Sequence, residues 1–277
     1  MGIIVPENKE VTELKGLHLY HFGLSQCSQR VRICLEEKGL TWVSRHLNLG
    51  KGEHITEEYR GINPNNVVPT LIHDGKVIIE STDIIEYIDQ QFPRPSFTPE
   101  NDADYQIMKM WLAESNQRKS AIKVLSHEFL FKLMAKKSLK ELAKLKSVLR
   151  NREIVEFAEE FSTRGLAKEK ILQAILEFQE TFAKMDSYLQ KHQWLAGDKF
   201  SLADISWMGD VHRLMLVSFP MTDYPRLQQW VGRVRKRPSF QKALIDYEPV
   251  VARYFFKLYT FVRRLRGSNV EQLARAV

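Results

Sequence analysis

Ser25, Cys27 and Ser28 crowd one short stretch of the 277-residue chain, Phe22-Gly-Leu-Ser-Gln-Cys-Ser-Gln-Arg-Val-Arg-Ile33. Before it, Leu17 and Leu19 alternate with His18 and Tyr20, which predicts a strand; after it, Val31, Cys34 and Leu35 have helical spacing. The three side chains therefore fall on a strand-to-helix turn. Unpaired backbone N–H groups and the positive end of the helix dipole make such a place favour a thiolate or another anion. A plainer reading stands beside this one: Ser25 caps the helix and Cys27 packs as a small apolar residue. On local sequence alone the plainer reading comes first, because caps outnumber active sites.

The elements that must hold this turn follow in order. Residues 1–16 read as a surface arm. The first strand runs over Leu17–His21 and the first helix over Gln26–Lys38, with Gly39 just past its end. Thr41–Leu47 alternates as a second strand. A polar loop, Lys51-Gly52-Glu53-His54, leads to a short helix, then Asn63-Pro64-Asn65-Asn66 turns the chain into Val67-Val68-Pro69-Thr70-Leu71-Ile72. His73-Asp74-Gly75-Lys76 is a two-residue hairpin signal, and Ile84, Ile85, Tyr87 and Ile88 have helix spacing. Strand, helix, strand, helix, hairpin, helix makes a sheet covered by helices. Pro93, Pro95 and Pro99 form a stiff linker over 93–100, and everything beyond reads as helix. Phe200-Ser201-Leu202-Ala203-Asp204 carries a capping box, with Ser201 and Asp204 exchanging hydrogen bonds at the start of a core helix toward Leu216. A Lys-rich run from Lys132 to Arg152 reads as a solvated helical extension.

Composition narrows the function classes. The two cysteines, Cys27 and Cys34, lie on one helix about 10 Å apart along its axis, beyond disulfide reach, so a reducing cytoplasm fits. No secretory signal and no uncharged run long enough to span a membrane are expected. The net charge of +7 admits an anionic ligand or an acidic surface. Nucleic-acid binding has only that charge behind it, with no recognition signature, and none is expected. No metal site is expected either, since His18 and His21 point to opposite faces of a strand and no histidine cluster has ligand spacing with the cysteines.

Taken in order, Ser25-x-Cys27-Ser28-x-Arg30-Val31-Arg32-Ile33, Asn63-Pro64, Val68-Pro69, Glu80-Ser81 and Trp194-Leu195-Ala196-Gly197-Asp198-x-Phe200-Ser201-Leu202-Ala203-Asp204 resemble the glutathione S-transferases over nearly the whole chain. The resemblance reverses the order of the two readings of Ser25. It implies a thioredoxin-like N-terminal domain (17–92) that binds glutathione as co-substrate and an α-helical C-terminal bundle (101–250) that serves a small electrophilic acceptor, commonly as a homodimer. By similarity, Val68 before a cis Pro69 meets the cysteinyl backbone of glutathione and the Glu80-Ser81 pair grips its γ-glutamyl end. His54, in a theta-like Lys-Gly-x-His loop, contacts glutathione or is an ordinary loop histidine. Ser25 is the thiol-activating hydroxyl by similarity to theta and zeta enzymes, and Cys27 is a resolving nucleophile as in the reductive dehalogenases of chlorinated hydroquinones, or a packed residue. Ser28 is shared with the bacterial β-aryl-etherases. The implied reaction is attack of glutathione thiolate on an aromatic or α-carbonyl carbon, by conjugation, ether cleavage or reductive dehalogenation. The alternative is a non-catalytic module that binds a membrane surface or a protein.

Two departures from the family pattern remain. The Lys132–Arg152 run lengthens a region that borders the acceptor pocket in similar proteins. The extension over 251–277 is aromatic and basic, and its Val251–Arg264 stretch lacks acidic residues. It closes over the acceptor site or lies on an anionic membrane surface, and packing against the helical domain is the reading that comes first, because one amphipathic face more often meets protein than lipid.

Overall fold

The computed structural model describes residues 2–276. In chain order the elements are β1 (Ile3–Ile4), β2 (Leu17–His21), α1 (Gln26–Glu37), β3 (Val43–His46), α2 (Glu57–Ile62), β4 (Thr70–His73), β5 (Lys76–Ile78) and α3 (Ser81–Gln91). Ten further helices follow: α4 (Asp102–Gln117), α5 (Lys119–Ser126), α6 (Leu139–Val148), α7 (Arg152–Thr163), α8 (Lys168–Tyr188), α9 (Leu202–Leu216), α10 (Pro225–Arg235), α11 (Pro238–Ala243), α12 (Val250–Leu265) and α13 (Val270–Ala274). The chain divides into two compact units. One holds the residues up to Gln91 together with Met134–Gly165; the other holds Phe92–Leu133 and the chain from Leu166 onward.

The first unit is the thioredoxin-like mixed sheet with strand order β1-β5-β4-β2-β3. β2 and β3 run parallel, whereas β4 is antiparallel to both β2 and β5. The hairpin turn follows from its residues: Asp74 and Gly75 both take positive φ, 48° and 79°, as a type I′ turn demands. Alternation sends Ile72 and its cross-strand partner Val77 to one face, where Tyr59 and Ile62 of α2 pack on them. Leu71 and Ile78 turn to the other face. α1 ends as Gly39 suggests, with Leu40 N–H bonded to Leu35 C=O at 3.0 Å and Gly39 N–H to Glu36 C=O at 3.1 Å around a φ of +64°.

Two parts of the first unit differ from the sequence reading. Residues 1–16 are no loose arm: β1 pairs with β5, and Val11, in a 3₁₀ turn over Glu10–Glu13, is buried in the cluster with Tyr59 and Ile72. Two short apolar pieces separated by Pro6 and charges were too brief to show periodicity. The Lys-rich run is helical and largely solvated over Leu139–Val148, but from Met134 on it belongs to the first unit, not to the helical bundle. Leu145 of α6, Leu149 just past its end and Val155 of the following α7 form a buried cluster with Ile55. The lysines that dominate the run's composition are on the solvent side, so the thin apolar seam beneath them was masked.

The second unit is the α-helical bundle. Its best-fixed point is the predicted capping box at the start of α9. Asp204, fully buried, accepts from Ser201 N–H at 2.9 Å, Leu195 N–H at 3.0 Å and Trp230 Nε1–H at 2.7 Å. Burial nonetheless pushes its carboxyl above the usual range, against the pull of those donors. No described helix is long and apolar enough to cross a membrane.

Candidate active site

Strand register brings the predicted residues of the first unit together. Tyr20 near the end of β2 pairs with Thr70 at the start of β4, and Leu71 pairs with Ile78 at the end of β5. β3 runs parallel to β2, with His46 beside His21. The end of β2, the start of β4 and the ends of β3 and β5 therefore share one edge of the sheet. From that edge spring the Phe22–Ser25 turn, the Val68–Pro69 peptide, Glu80–Ser81 and the loop that carries His54.

Ser25 is the N-cap of α1. Its backbone is extended (φ −77°, ψ 118°), and its Oγ accepts from Ser28 N–H at 3.3 Å. The cap uses a lone pair of the hydroxyl, so the O–H proton is left to donate elsewhere. The plainer reading of Ser25 and the chemical one are thus compatible: the cap holds the oxygen at the helix mouth. Cys27, half-buried, stands in the first turn with a free thiol. Ser28 is fully buried and its Oγ accepts from Phe22 N–H at 3.4 Å, so it braces the turn from beneath. Cys34 is two turns away with its Sγ 3.9 Å from Ile85 C=O, and burial together with the Asp89 carboxylate pushes its thiol far up, which makes it inert packing.

Two arginines in the same motif build the scaffold of the turn. Arg32, fully buried, donates to Gly23 C=O at 2.9 Å and Phe22 C=O at 3.2 Å, and its Nη1 lies 3.3 Å from His21 Nδ1. That ring nitrogen can only accept there, so Nε2–H is the donor to Ser44 Oγ at 2.8 Å. Burial first, then the Arg32 and His46 charges, hold His21 down to a pKa of about 3, and it is neutral at pH 7. Arg30 donates to Ser81 Oγ at 2.9 Å and so ties α1 to the first residue of α3. The sequence reading placed both arginines in the motif without a role. Two charged residues interleaved with Val31, Ile33 and Leu35 on an apolar helix were the available sign that they are buried and paired.

The other edge segments are held in comparable ways. Asn63, wholly buried, donates from Nδ2 to Val67 C=O at 3.0 Å and to Thr70 Oγ1 at 2.8 Å, while Tyr59 O–H donates to Val67 C=O at 2.8 Å. These clamps flank Val68, which precedes Pro69 in a cis peptide. Glu80 is exposed, in a left-handed conformation with φ +63°, and its C=O accepts the first bond of α3 from Ile84 N–H at 2.8 Å. A non-glycine residue there costs about 1 kcal/mol or more, the kind of strain that collects at functional sites. Ser81 is buried. His54 is half-buried, its C=O accepting from Asn66 Nδ2 at 2.8 Å. Burial, with the positive charge of Lys137 added, lowers its pKa to about 4, so its imidazole is neutral. Lys137 belongs to the segment leading into α6, its N–H bonded to Ser162 Oγ at 3.0 Å. Among the described residues no group of three or more His, Cys, Asp or Glu is arranged to hold a metal ion.

Comparison with known proteins bears on this geometry. Residues 19–96 match the family described as glutathione S-transferase, N-terminal domain, and residues 159–233 match glutathione S-transferase, C-terminal domain. A glutathione S-transferase 1 of Dianthus caryophyllus is 41% identical over 90 residues, which are 32% of this chain; the match spans 41% of that protein's length. The glutathione S-transferase TCHQD of Arabidopsis thaliana is 26% identical over 280 residues, covering 94% of this chain and 99% of that protein. Among solved structures, the β-etherase LigF of Sphingobium sp. strain SYK-6 superposes with a TM-score of 0.74 at 25% identity, over 82% of this chain and 98% of the other.

Proposed function

Because this chain belongs to the glutathione S-transferase superfamily, with an N-terminal and a C-terminal domain of that family, we propose that it transfers glutathione to an electrophilic carbon through a thiolate held by Ser25. The observation that carries this reading is the Ser25 hydroxyl, fixed as a helix cap by Ser28 N–H with its own proton unspent. A free thiol has a pKa near 8.5, and each unit of lowering takes about 1.4 kcal/mol. One hydrogen bond to a charged acceptor contributes about 1.5–3 kcal/mol and the helix dipole adds to it, enough for a thiolate at neutral pH.

The rest of the edge supports glutathione as the co-substrate. Val68 presents its backbone to the cysteinyl part. The Glu80 carboxylate meets the γ-glutamyl ammonium, and Ser81, oriented by Arg30, meets the adjoining carboxylate. The glycyl end lies toward neutral His54, a hydrogen-bond partner rather than a cation, with Lys137 supplying positive potential beside it.

In conjugation the thiolate forms a carbon–sulfur bond and the leaving group departs with its electron pair; an aryl ether or an activated halide serves. Cys27 permits a second chemistry. Its thiolate attacks the sulfur of a glutathionyl–aryl adduct, the aryl carbon takes the electron pair and a proton, and a Cys27–glutathione disulfide remains. A second glutathione then reduces it, so two thiols are oxidised to one disulfide while carbon–halogen becomes carbon–hydrogen. By family resemblance the enzyme works as a homodimer in the cytoplasm.

Ser25→Ala tests the core of this reading. Activity toward an aryl halide should fall about a hundredfold in kcat/KM while calorimetric glutathione affinity changes by less than about threefold, the pattern of a group that acts on the thiolate rather than on binding. An unchanged rate would remove Ser25 from the chemistry. Cys27→Ala should abolish dehalogenation and leave conjugation; loss of neither removes its resolving role.

A further inference from the structure

α12 is docked by one face only. Phe256 is buried with its ring 5.7 Å from that of Phe131, and Arg263 donates from Nη1 to the Glu128 carboxylate at 3.0 Å and to Glu128 C=O at 2.9 Å. On the opposite face Val251, Tyr254, Leu258, Phe261 and Leu265 recur at alternating spacings of three and four residues, which places them in one straight stripe along the helix. They are 58% to 80% exposed. Six of the fourteen large apolar side chains that are exposed among the described residues lie on this single helix, Val250 included, so this is a contiguous patch and not ordinary scatter.

The charges that border the stripe decide what can cover it. At 100° per residue Arg253, Lys257 and Arg264 line one flank and Arg266 the other; α12 contains no acidic residue. A second copy of α12 laid along the stripe would bring Lys257 and Arg264 toward their own like charges with nothing to neutralise them. An anionic lipid surface matches both features together. The stripe enters the acyl boundary with the Tyr254 hydroxyl reaching headgroup level, and the long basic side chains on the flanks reach back to lipid phosphates and carboxylates. Sixteen residues span about 24 Å along the surface, too short and too charged to cross it.

We infer that α12 is an interfacial helix by which this protein docks, peripherally and reversibly, on an anionic phospholipid surface. The inference stands on α12 alone and is independent of the chemistry at Ser25. The intact protein, floated with phosphatidylcholine vesicles containing 30% phosphatidylserine, should rise with the vesicles at low salt and be released as salt increases. It should stay behind with phosphatidylcholine alone. Leu258→Asp and Phe261→Asp should each abolish flotation. Lys257→Gln and Arg264→Gln, which leave the apolar stripe and the Phe256 anchor intact, should each weaken it about fivefold. Glutathione affinity and far-UV circular dichroism should match the parent in all four. No flotation at low salt, equal flotation with neutral vesicles, or flotation that survives Leu258→Asp would each overturn the inference. So would concentration-dependent self-association abolished by Leu258→Asp without any vesicle binding, which would make the stripe an interface between copies.

Discussion

At the scale of single residues, neutrality recurs around the turn. His21 sits at the join of β2 and α1, accepting from Arg32 and donating to Ser44, a set of bonds that only the neutral ring can make. Its folded pKa of about 3 lies below the 6.5 of an exposed histidine. Between those values the unfolded chain binds a proton that the folded chain does not, so this contribution to stability is complete above pH 6.5 and is lost as pH falls toward 3. Its upper limit is about 5 kcal/mol. Urea denaturation at pH 7 and pH 4.5 should show a marked loss in the parent and a flatter profile in His21→Gln, whose amide bonds without titrating. Equal slopes in the two proteins would mean that other groups govern the acid limb. Arg32 cannot be tested as cleanly, since removing it orphans two carbonyls at once.

Among the elements, the inserted pair α6 and α7 is the one whose role changes most between sequence and structure. Its seam buries Ile55, next to His54, and its leading segment brings Lys137 near that ring. The pair thus braces the loop assigned to the glycyl end of glutathione. Leu145→Asp places a charge in that seam, which costs about 3 kcal/mol or more locally, and should raise KM for glutathione about tenfold while kcat holds. Faster hydrogen exchange over residues 48–56 should accompany it. An unaltered KM with faster exchange would show a brace without a binding role. The contrast with α1 explains what was legible. Around Ser25, local rules and motif agree: an apolar period, a cap, a C-terminal glycine and a hairpin turn each constrain a few neighbouring residues, and each is visible in sequence. The packing of α6 and α7 on Ile55 joins residues ninety to a hundred apart through Leu145 and Leu149 inside a lysine-rich run and Val155 just beyond it, and no local signal encodes it. The buried pairing of Arg30 with Ser81 was hidden for the same reason, being fifty-one residues apart.

For the whole molecule, binding and stability are one quantity. A ligand that meets only the folded chain stabilises it by about 2.7 kcal/mol at a hundred times its dissociation constant. For a chain of this length that is a rise in Tm on the order of 5 °C. The net charge of +7 favours an anionic co-substrate through long-range attraction, and added salt should reduce the rise without abolishing it. Variants then divide the site by function. Ser25→Ala should keep the glutathione-induced rise, because the hydroxyl is asked to stabilise a thiolate and not to hold the tripeptide. Glu80→Gln should lose most of it, because the γ-glutamyl ammonium loses its counter-charge. Differential scanning calorimetry with and without glutathione reads both without any acceptor substrate. A rise that disappears in Ser25→Ala yet persists in Glu80→Gln would invert the assignment, moving the grip on glutathione to the helix mouth and leaving the strained Glu80 backbone without a ligand to explain it.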